Sequence, residues 1–285
     1  MQFTKASKSK AKLRLALIGP SGSGKTYSAL SIAANFPNHP KIAVIDTEFG
    51  SASKYADEFE FDTLNLTDDF SPMSYVKAIE AARGYDILII DSLSHAWMGK
   101  GGALEMVDAA TKKSKSGNSY MAWRDVTPEH NKLVQAILQC PAHVIVTVRS
   151  KTEYVIDEQG GKKVPRKVGM APVQRDGLEY EMDIACDLTL DHDLVPTKTR
   201  CKAIDGKVYH KPGKEFAQML SVWLSDGADA PPSAIEVARE LIRSAATLAD
   251  LAAVWTDLGD AAKQACVGDK DARKAQLQEA ANVAA

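Results

Sequence analysis

The sequence predicts an α/β fold: a mostly parallel central sheet covered by helices, an antiparallel β extension, and a small C-terminal helical module. Three observations predict it. Aliphatic runs of strand length alternate with helical patterns through the first half of the chain. From Thr152 onward the texture turns to short strands broken by Asp- and Gly-containing turns. Beyond Gly227–Pro232 (GADAPP), a linker composition, the chain is Ala-rich with helical spacing. The expected organisation is a basic tail at 1–12, a core at 13–226, a linker at 227–232 and a helical module at 233–285.

Leu13–Ile18 (LRLALI) is the first strand-like run. It enters Gly19-Pro20-Ser21-Gly22-Ser23-Gly24-Lys25-Thr26, which fills every position of the phosphate-binding pattern G-x-x-x-x-G-K-[ST]. Tyr27–Asn35 follows as an Ala/Ser/Leu run suited to a helix, so Tyr27 closes the nucleotide-binding stretch. Glycines let the backbone fold around phosphates, and successive N–H groups then point inward at a helix N-terminus, where the macrodipole favours negative charge. Lys25 neutralises the β- and γ-phosphates, and the Thr26 hydroxyl ligates Mg²⁺. A nucleoside triphosphate is the expected ligand.

The remaining elements follow in order. Lys41–Asp46 (KIAVID) and Asp86–Asp91 (DILIID) are buried-strand runs ending in carboxylates, separated by a helix at Pro72–Arg83 with Pro72 in its first turn. Gly99–Ser119, with its glycines and Lys112, Lys113 and Lys115, is expected to be a mobile excursion. Thr127–Gln139 is expected as a helix with Thr127 as cap and Pro128 at the first helical position. His143–Val148 (HVIVTV) is another buried strand. Glu153–Ile156 and Lys163–Val168 flank the turn Asp157–Gly161 as a hairpin. Met182–Leu190, Thr197–Ile204 and Lys207–His210 are further antiparallel strands, the last two joined at Asp205-Gly206, and Phe216–Leu224 is a closing helix. In the tail, Ser233 with Glu236 and Thr247 with Asp250 have capping-box spacing.

With 285 residues, 45% hydrophobic and 25% charged, the chain has room for one large domain and a small second one, and its net charge of −2 gives no global sign of nucleic acid. No acidic residue precedes Asp46, while Lys5, Lys8, Lys10, Lys12 and Arg14 crowd the start. That run is either a solvated tail or an arm for nucleic acid. The four cysteines are widely spaced without a C-x-x-C pair, which argues against structural zinc and a disulfide framework. No apolar run reaches membrane-spanning length and the N-terminus lacks a signal-peptide centre, so a cytoplasmic protein without membrane partners is expected.

Asp91, ending the run Ile87–Ile90, has the form of the second nucleotide motif, a carboxylate that holds Mg²⁺. Many AAA+ ATPases place Glu directly after this Asp to orient water; here the neighbour is Ser92. The water-orienting carboxylate must then come from elsewhere. Glu48, at the tip of the second strand, is the first candidate and Asp46 the second. Thr147 and Arg149 end another strand, where they either sense the γ-phosphate or bond water and a local acid.

GPSGSGKT at Gly19–Thr26, IDTEFG at Ile45–Gly50, IIDSL at Ile89–Leu93, VTVRSK at Val146–Lys151 and GLEYEMDI at Gly177–Ile184 form an ordered set. With it the chain resembles the RecA-like branch of P-loop ATPases, and within that branch the small bacteriophage RecA-like ATPases that accompany single-strand-annealing recombination. The resemblance spans roughly Leu13 to Leu224. It implies a RecA-like P-loop NTPase core, ATP hydrolysis with Mg²⁺ and a water-orienting Glu48. It also implies homo-oligomeric rings or filaments, and action on single-stranded DNA with recombination proteins such as an annealase or a single-strand-binding protein. The pattern A-T-L-x-x-L-x-x-x-W at Ala246–Trp255 looks like helical tails of other phage recombination proteins. In the RecA-like branch a neighbouring subunit's cation often completes the site. Lys198, Arg200 and Lys202 alternate along one expected strand and are candidates, the other reading being a solvated edge strand. Candidate DNA surfaces are Gly99–Gly117 and the hairpin around Lys162, Lys163, Arg166 and Lys167, with Tyr120, Trp123 and Tyr154 as stacking candidates or packed aromatics. Two rival classes stand beside the ATPase: a small-molecule kinase using the same loop, and a nucleotide-gated loader with negligible hydrolysis.

Overall fold

β1 (Arg14–Gly19) is buried at every position, the pattern of a strand covered on both sheet faces. Its residues alternate between two cores. Leu15 and Leu17, with Leu13 just before the strand, join a cluster with Leu30, Phe216 and Leu220, while Ala16 and Ile18 join another with Tyr75, Ile79, Leu133 and Ile137. The computed structural model describes residues 11–113, 118–159, 162–227 and 234–283, with backbone only for 152–170 and 280–283.

After β1 come α1 (Lys25–Ala34), β2 (Ile42–Asp46), a 3₁₀ turn at Ala52–Tyr55, β3 (Asp62–Asn65), α2 (Pro72–Ala81) and β4 (Ile87–Asp91). The short α3 (His95–Met98), α4 (Ala103–Lys113) and α5 (Ser119–Gln139) lead to β5 (His143–Gln159) and β6 (Lys162–Pro172). The short α6 (Leu178–Glu181), β7 (Ile184–Leu188), β8 (Asp193–Thr199), β9 (Tyr209–His210) and α7 (Lys214–Ser225) follow. The sheet order is β3-β2-β4-β5-β1-β7-β8-β9, with β6 paired to β5. The pairs from β3 through β7 are parallel, and the β7–β8, β8–β9 and β5–β6 pairs are antiparallel. This is the expected α/β architecture with its antiparallel extension.

Several local expectations are corrected. Gly99–Ser119 is not an irregular excursion through its described part: Ala103 and Val107 of α4 bury against Ala122 and Val126 of α5, beside Trp97, Met106, Ala110 and Trp123. The glycines sit before α4, with Gly101 at φ 76, and cost the helix nothing. Lys115 lies outside the described residues. Thr127 and Pro128 do not start a helix, because the apolar stripe of α5 extends one further stretch toward the N-terminus. Its cap is Asn118, whose side chain accepts from the Tyr120 amide at 2.9 Å, and Pro128 is interior. Asp205-Gly206 is not a tight two-residue hairpin turn; it lies within a longer connection from β8 to β9. β8 ends at Thr199, and β9 pairs instead with the start of β8 through Asp193↔His210 and Leu194↔Tyr209. Arg14 is no part of a basic arm: its buried guanidinium donates to the Leu13, Leu138, Cys140 and Ala142 carbonyls. Lys5, Lys8 and Lys10 lie outside the described residues.

The chain divides into two compact units, one holding Lys10–Gly227 and the other the helices beyond it. The second contains α8 (Ala234–Ser244), α9 (Leu248–Asp257) and α10 (Asp260–Val283), packed around Ala238, Ile242, Ala245, Leu251 and Cys266. Thr247 and Asp250 form a reciprocal capping box at the start of α9. Ser233, the other expected cap, lies outside the described residues. No described helix is long and apolar enough to cross a membrane.

Candidate functional site: the phosphate loop and the carboxylate tips

Gly19 ends β1 and the loop turns into α1 through Gly22 at φ 84 and Gly24 at φ 82, the left-handed region that glycine enters without cost. Ser21 and Gly22 are exposed and Ser23 is buried. The Lys25 ammonium donates to the Pro20 carbonyl at 2.7 Å, closing the loop on itself. Burial lowers the Lys25 pKa, and the nearby Asp91 and Glu48 carboxylates oppose that shift. A cation partly stripped of water beside an amide-lined loop is primed to take an anion in exchange for a carbonyl.

β4 delivers Asp91 next to this loop. The Thr26 hydroxyl donates to Asp91 Oδ2 at 2.6 Å, and the Thr147 hydroxyl, from β5, donates to Oδ1 at 2.5 Å. Both carboxylate oxygens are thus claimed by hydroxyls from strands or helices on either side. Burial raises the Asp91 pKa, with the two hydroxyl bonds pulling against it. A desolvated carboxylate facing a threonine hydroxyl is the oxygen donor set that suits Mg²⁺.

β2 lies beside β4 in register, Asp46 opposite Asp91. The two acids beyond that point have different fates. Asp46 is fully buried and accepts from the Glu48 amide at 2.7 Å and the Ala52 amide at 2.9 Å, which commits both its oxygens to shaping the turn. Glu48 instead presents its carboxylate to Arg149, whose Nε donates to Oε1 at 3.0 Å and whose NH2 group donates to Oε2. This bidentate fork is the local-acid pairing expected as one alternative for Arg149. Arg149 itself lies opposite Gly19 in the β1–β5 register, so its backbone flanks the start of the loop.

A polar group that the motifs did not point to supports these tips. The Thr47 hydroxyl accepts from the Ser92 amide at 2.8 Å and donates to the Ser92 carbonyl at 3.1 Å, and it lies 2.7 Å from His95 Nδ1. The Tyr75 hydroxyl also donates to the Ser92 carbonyl at 2.9 Å. Burial and the nearby Arg149 charge lower the His95 pKa, so the imidazole is neutral near pH 7. The sequence signal for Thr47 was its place between two acids at a strand tip; for His95 it was only proximity to Asp91.

Tyr27 follows Thr26 in the first turn of α1, so its backbone stays with the loop while its side chain does not. That side chain projects outward, its hydroxyl donating to Glu58 at 3.1 Å and its ring edge-on to Tyr55 and Phe59. Lys198 and Arg200 do not alternate along one strand face, since β8 ends between them. Lys198 Nζ donates to the carbonyls of Glu179, Tyr180 and Met182, and Arg200 pairs with Asp183 at 2.9 Å. Lys202 follows in a turn. Lys162, Lys163, Arg166 and Lys167 lie on β6, paired through the backbone with Gln159, Glu158, Val155 and Tyr154. Trp123 is stacked on Trp97 with centroids 5.4 Å apart, whereas Tyr120 is exposed.

A search of curated proteins finds no match to the chain. A family model described as an AAA domain matches residues 11–218. That span opens just before β1, closes inside α7 and takes in the loop, both carboxylate tips and Arg149. The chain therefore belongs to the AAA-domain family, a family of P-loop NTPases.

Proposed function

We propose that the protein binds and hydrolyses ATP with Mg²⁺ as a RecA-like ATPase. It would act on single-stranded DNA in phage-type recombination or annealing, as a homo-oligomeric ring or filament in a bacterial host's cytoplasm. The observation that carries the hydrolytic reading is the division of labour between neighbouring strand tips: Asp91 is held by Thr26 and Thr147, while Glu48 stands one strand away. Ser92, where an AAA+ enzyme has its water-orienting Glu, is buried and tied to Thr47 through its amide. Glu48 takes that role here, as in the RecA-like branch.

Thr26 and Asp91 would hold Mg²⁺, which would neutralise phosphate charge when bound. Lys25 releases the Pro20 carbonyl to take phosphate oxygens. The γ-phosphate offers Arg149 a second anion, and a guanidinium drawn to it frees Glu48 to accept a proton from water. Arg149 also joins the site to the β5–β6 hairpin. Its amide donates to Ser94 Oγ at 2.8 Å and its carbonyl accepts from the Val173 amide at 2.7 Å. A shift of the Arg149 main chain on nucleotide binding would be passed through these bonds to the arm bearing Lys162, Lys163, Arg166 and Lys167, which supports a role in holding the DNA backbone. An annealase or single-strand-binding protein is the expected partner class.

Phosphate release measured with and without single-stranded DNA across a salt series tests this. DNA should stimulate release, and the stimulation should fall steeply with salt as phosphate-backbone contacts are screened. Lys25→Ala should lower turnover by ~10²–10³-fold. Turnover indifferent to DNA at low salt would remove the DNA role, and an active Lys25→Ala would remove the site.

A further inference from the structure

The flank of β1 opposite the carboxylates has no assigned role, yet it touches the phosphate loop. β7 pairs with β1 in parallel, and the turn after it, Thr189–His192, passes over the loop. A Cβ on Gly24 would lie 3.1 Å from His192 Nδ1, and one on Gly22 would lie 4.0 Å from Leu190 Cδ2. His192 Nδ1 stands 3.2 Å from the Ser23 carbonyl. A carbonyl only accepts, so the proton of that bond is on Nδ1.

Ser23 is held at its other end too. A Cβ on Gly19 would lie 2.5 Å from Ser23 Oγ and 2.6 Å from the Leu188 carbonyl, so the buried serine fills the space that Gly19 leaves beside β7. The turn that carries His192 is itself rigid. The Thr189 amide donates to the Asp193 carbonyl at 3.0 Å, and the His192 amide donates to the Thr189 carbonyl at 3.1 Å. The Asp193 amide donates to Thr189 Oγ1 at 3.1 Å, and the Lys211 amide to the His192 carbonyl at 2.9 Å. His192 adopts φ 64, the left-handed region that few L residues enter and in which Asn, Asp and His are enriched.

We propose that His192 is a positioning residue for nucleotide binding: its Nδ1–H clasps the Ser23 carbonyl outward and thereby keeps the amides of the loop turned toward the phosphates. Successive peptide units in a loop are coupled, so fixing one carbonyl away from the cavity leaves its neighbours' N–H groups facing in. A loop ordered before the ligand arrives pays less of its ordering entropy on binding. The inference rests on the reading that this loop binds a triphosphate.

The test compares His192→Gly with His192→Asn. Both residues tolerate the left-handed backbone, but only Asn retains a donor. ATP affinity is measured by equilibrium binding with Mg²⁺, kcat and KM by phosphate release, and folding by thermal melting. His192→Gly should weaken ATP binding roughly fivefold, the worth of one neutral hydrogen bond, with the loss in KM more than in kcat. His192→Asn should recover most of it. Equal affinities for the Gly and Asn variants would overturn the clasp and leave His192 a turn residue. Wild-type protein that fails to bind ATP would instead overturn the nucleotide reading, so the two failures are distinguishable.

Discussion

The two compact units spend their interiors differently. In the unit spanning Lys10–Gly227, buried polar side chains gather at the tips of the central strands: Asp46, Thr47, Asp91, Ser92, Ser94 and Thr147. In the helical unit the buried side chains among the described residues are Ala238, Ile242, Ala245, Leu251 and Cys266. Its charges pair near the surface instead, as in Arg239–Asp269 at 3.2 Å. Burying a carboxylate opposes folding unless partners compensate. A fold that does so at one end of its sheet, and nowhere among the described residues of its appended helices, has placed a chemical task at that end. Predictions that separate chemistry from stability test the contrast.

The largest effect is expected from Glu48→Gln. Gln keeps the length of the side chain and an acceptor for Arg149, but it takes no proton from water. Turnover should fall by ~10²–10⁴-fold, the usual worth of a general base, while ATP affinity stays near wild type. Phosphate release and equilibrium binding measured together check it. Normal turnover would reduce Glu48 to an anchor for Arg149 and leave the strand tips without a water-orienting acid.

Asp91→Asn sharpens the contrast from the side of stability. Burial holds the Asp91 pKa above the ordinary carboxylate value. The native protein then keeps a proton over a pH window in which the unfolded chain has released it, so stability falls as pH rises through that window. Above the window the ionised carboxylate is a standing cost that Asn removes, while its amide and carbonyl still meet the Thr26 and Thr147 hydroxyls. The nucleotide-free variant should melt ~2–4 °C higher than wild type near pH 8, a gap that closes on acidification. Its Mg²⁺-dependent turnover should be lost. Melting lower than wild type at every pH would show that the charge stabilises the empty site.

Much of this contrast was legible in the sequence, for a physical reason. Parallel strands buried on both faces must be aliphatic throughout, so LRLALI, KIAVID and DILIID stand out, and whatever polar residue ends them is conspicuous. That is why Asp91, Glu48, Thr147 and Arg149 were identifiable before their geometry was known. α4 is hidden in the sequence because Gly99, Gly101 and Gly102 suggest irregular chain, although Ala103, Met106, Val107 and Ala110 repeat at helical spacing just beyond them. Pro128 reads as a helix start because proline is over-represented at the first helical position; packing of Ala122 and Val126 on α4 carries the helix past it. The Glu48–Arg149 pair and the His192 contact join residues 101 and 169 positions apart, and no local pattern encodes either.

The smallest effect belongs to the helical unit. Thr247 accepts from the Asp250 amide at 3.1 Å, and Asp250 accepts from the Thr247 amide at 3.0 Å. Thr247→Ala removes one half of this box and should cost about 1 kcal/mol of local stability. In so small a unit that cost has few buried contacts to hide behind. Amide exchange in the first turn of α9 should quicken about fivefold, read by native-state hydrogen exchange. ATP turnover should not change, because no residue of the proposed site lies beyond Gly227. A variant that loses turnover together with α9 protection would show the helices to be part of the catalytic cycle, and the contrast between a unit built for chemistry and one built for packing would not hold.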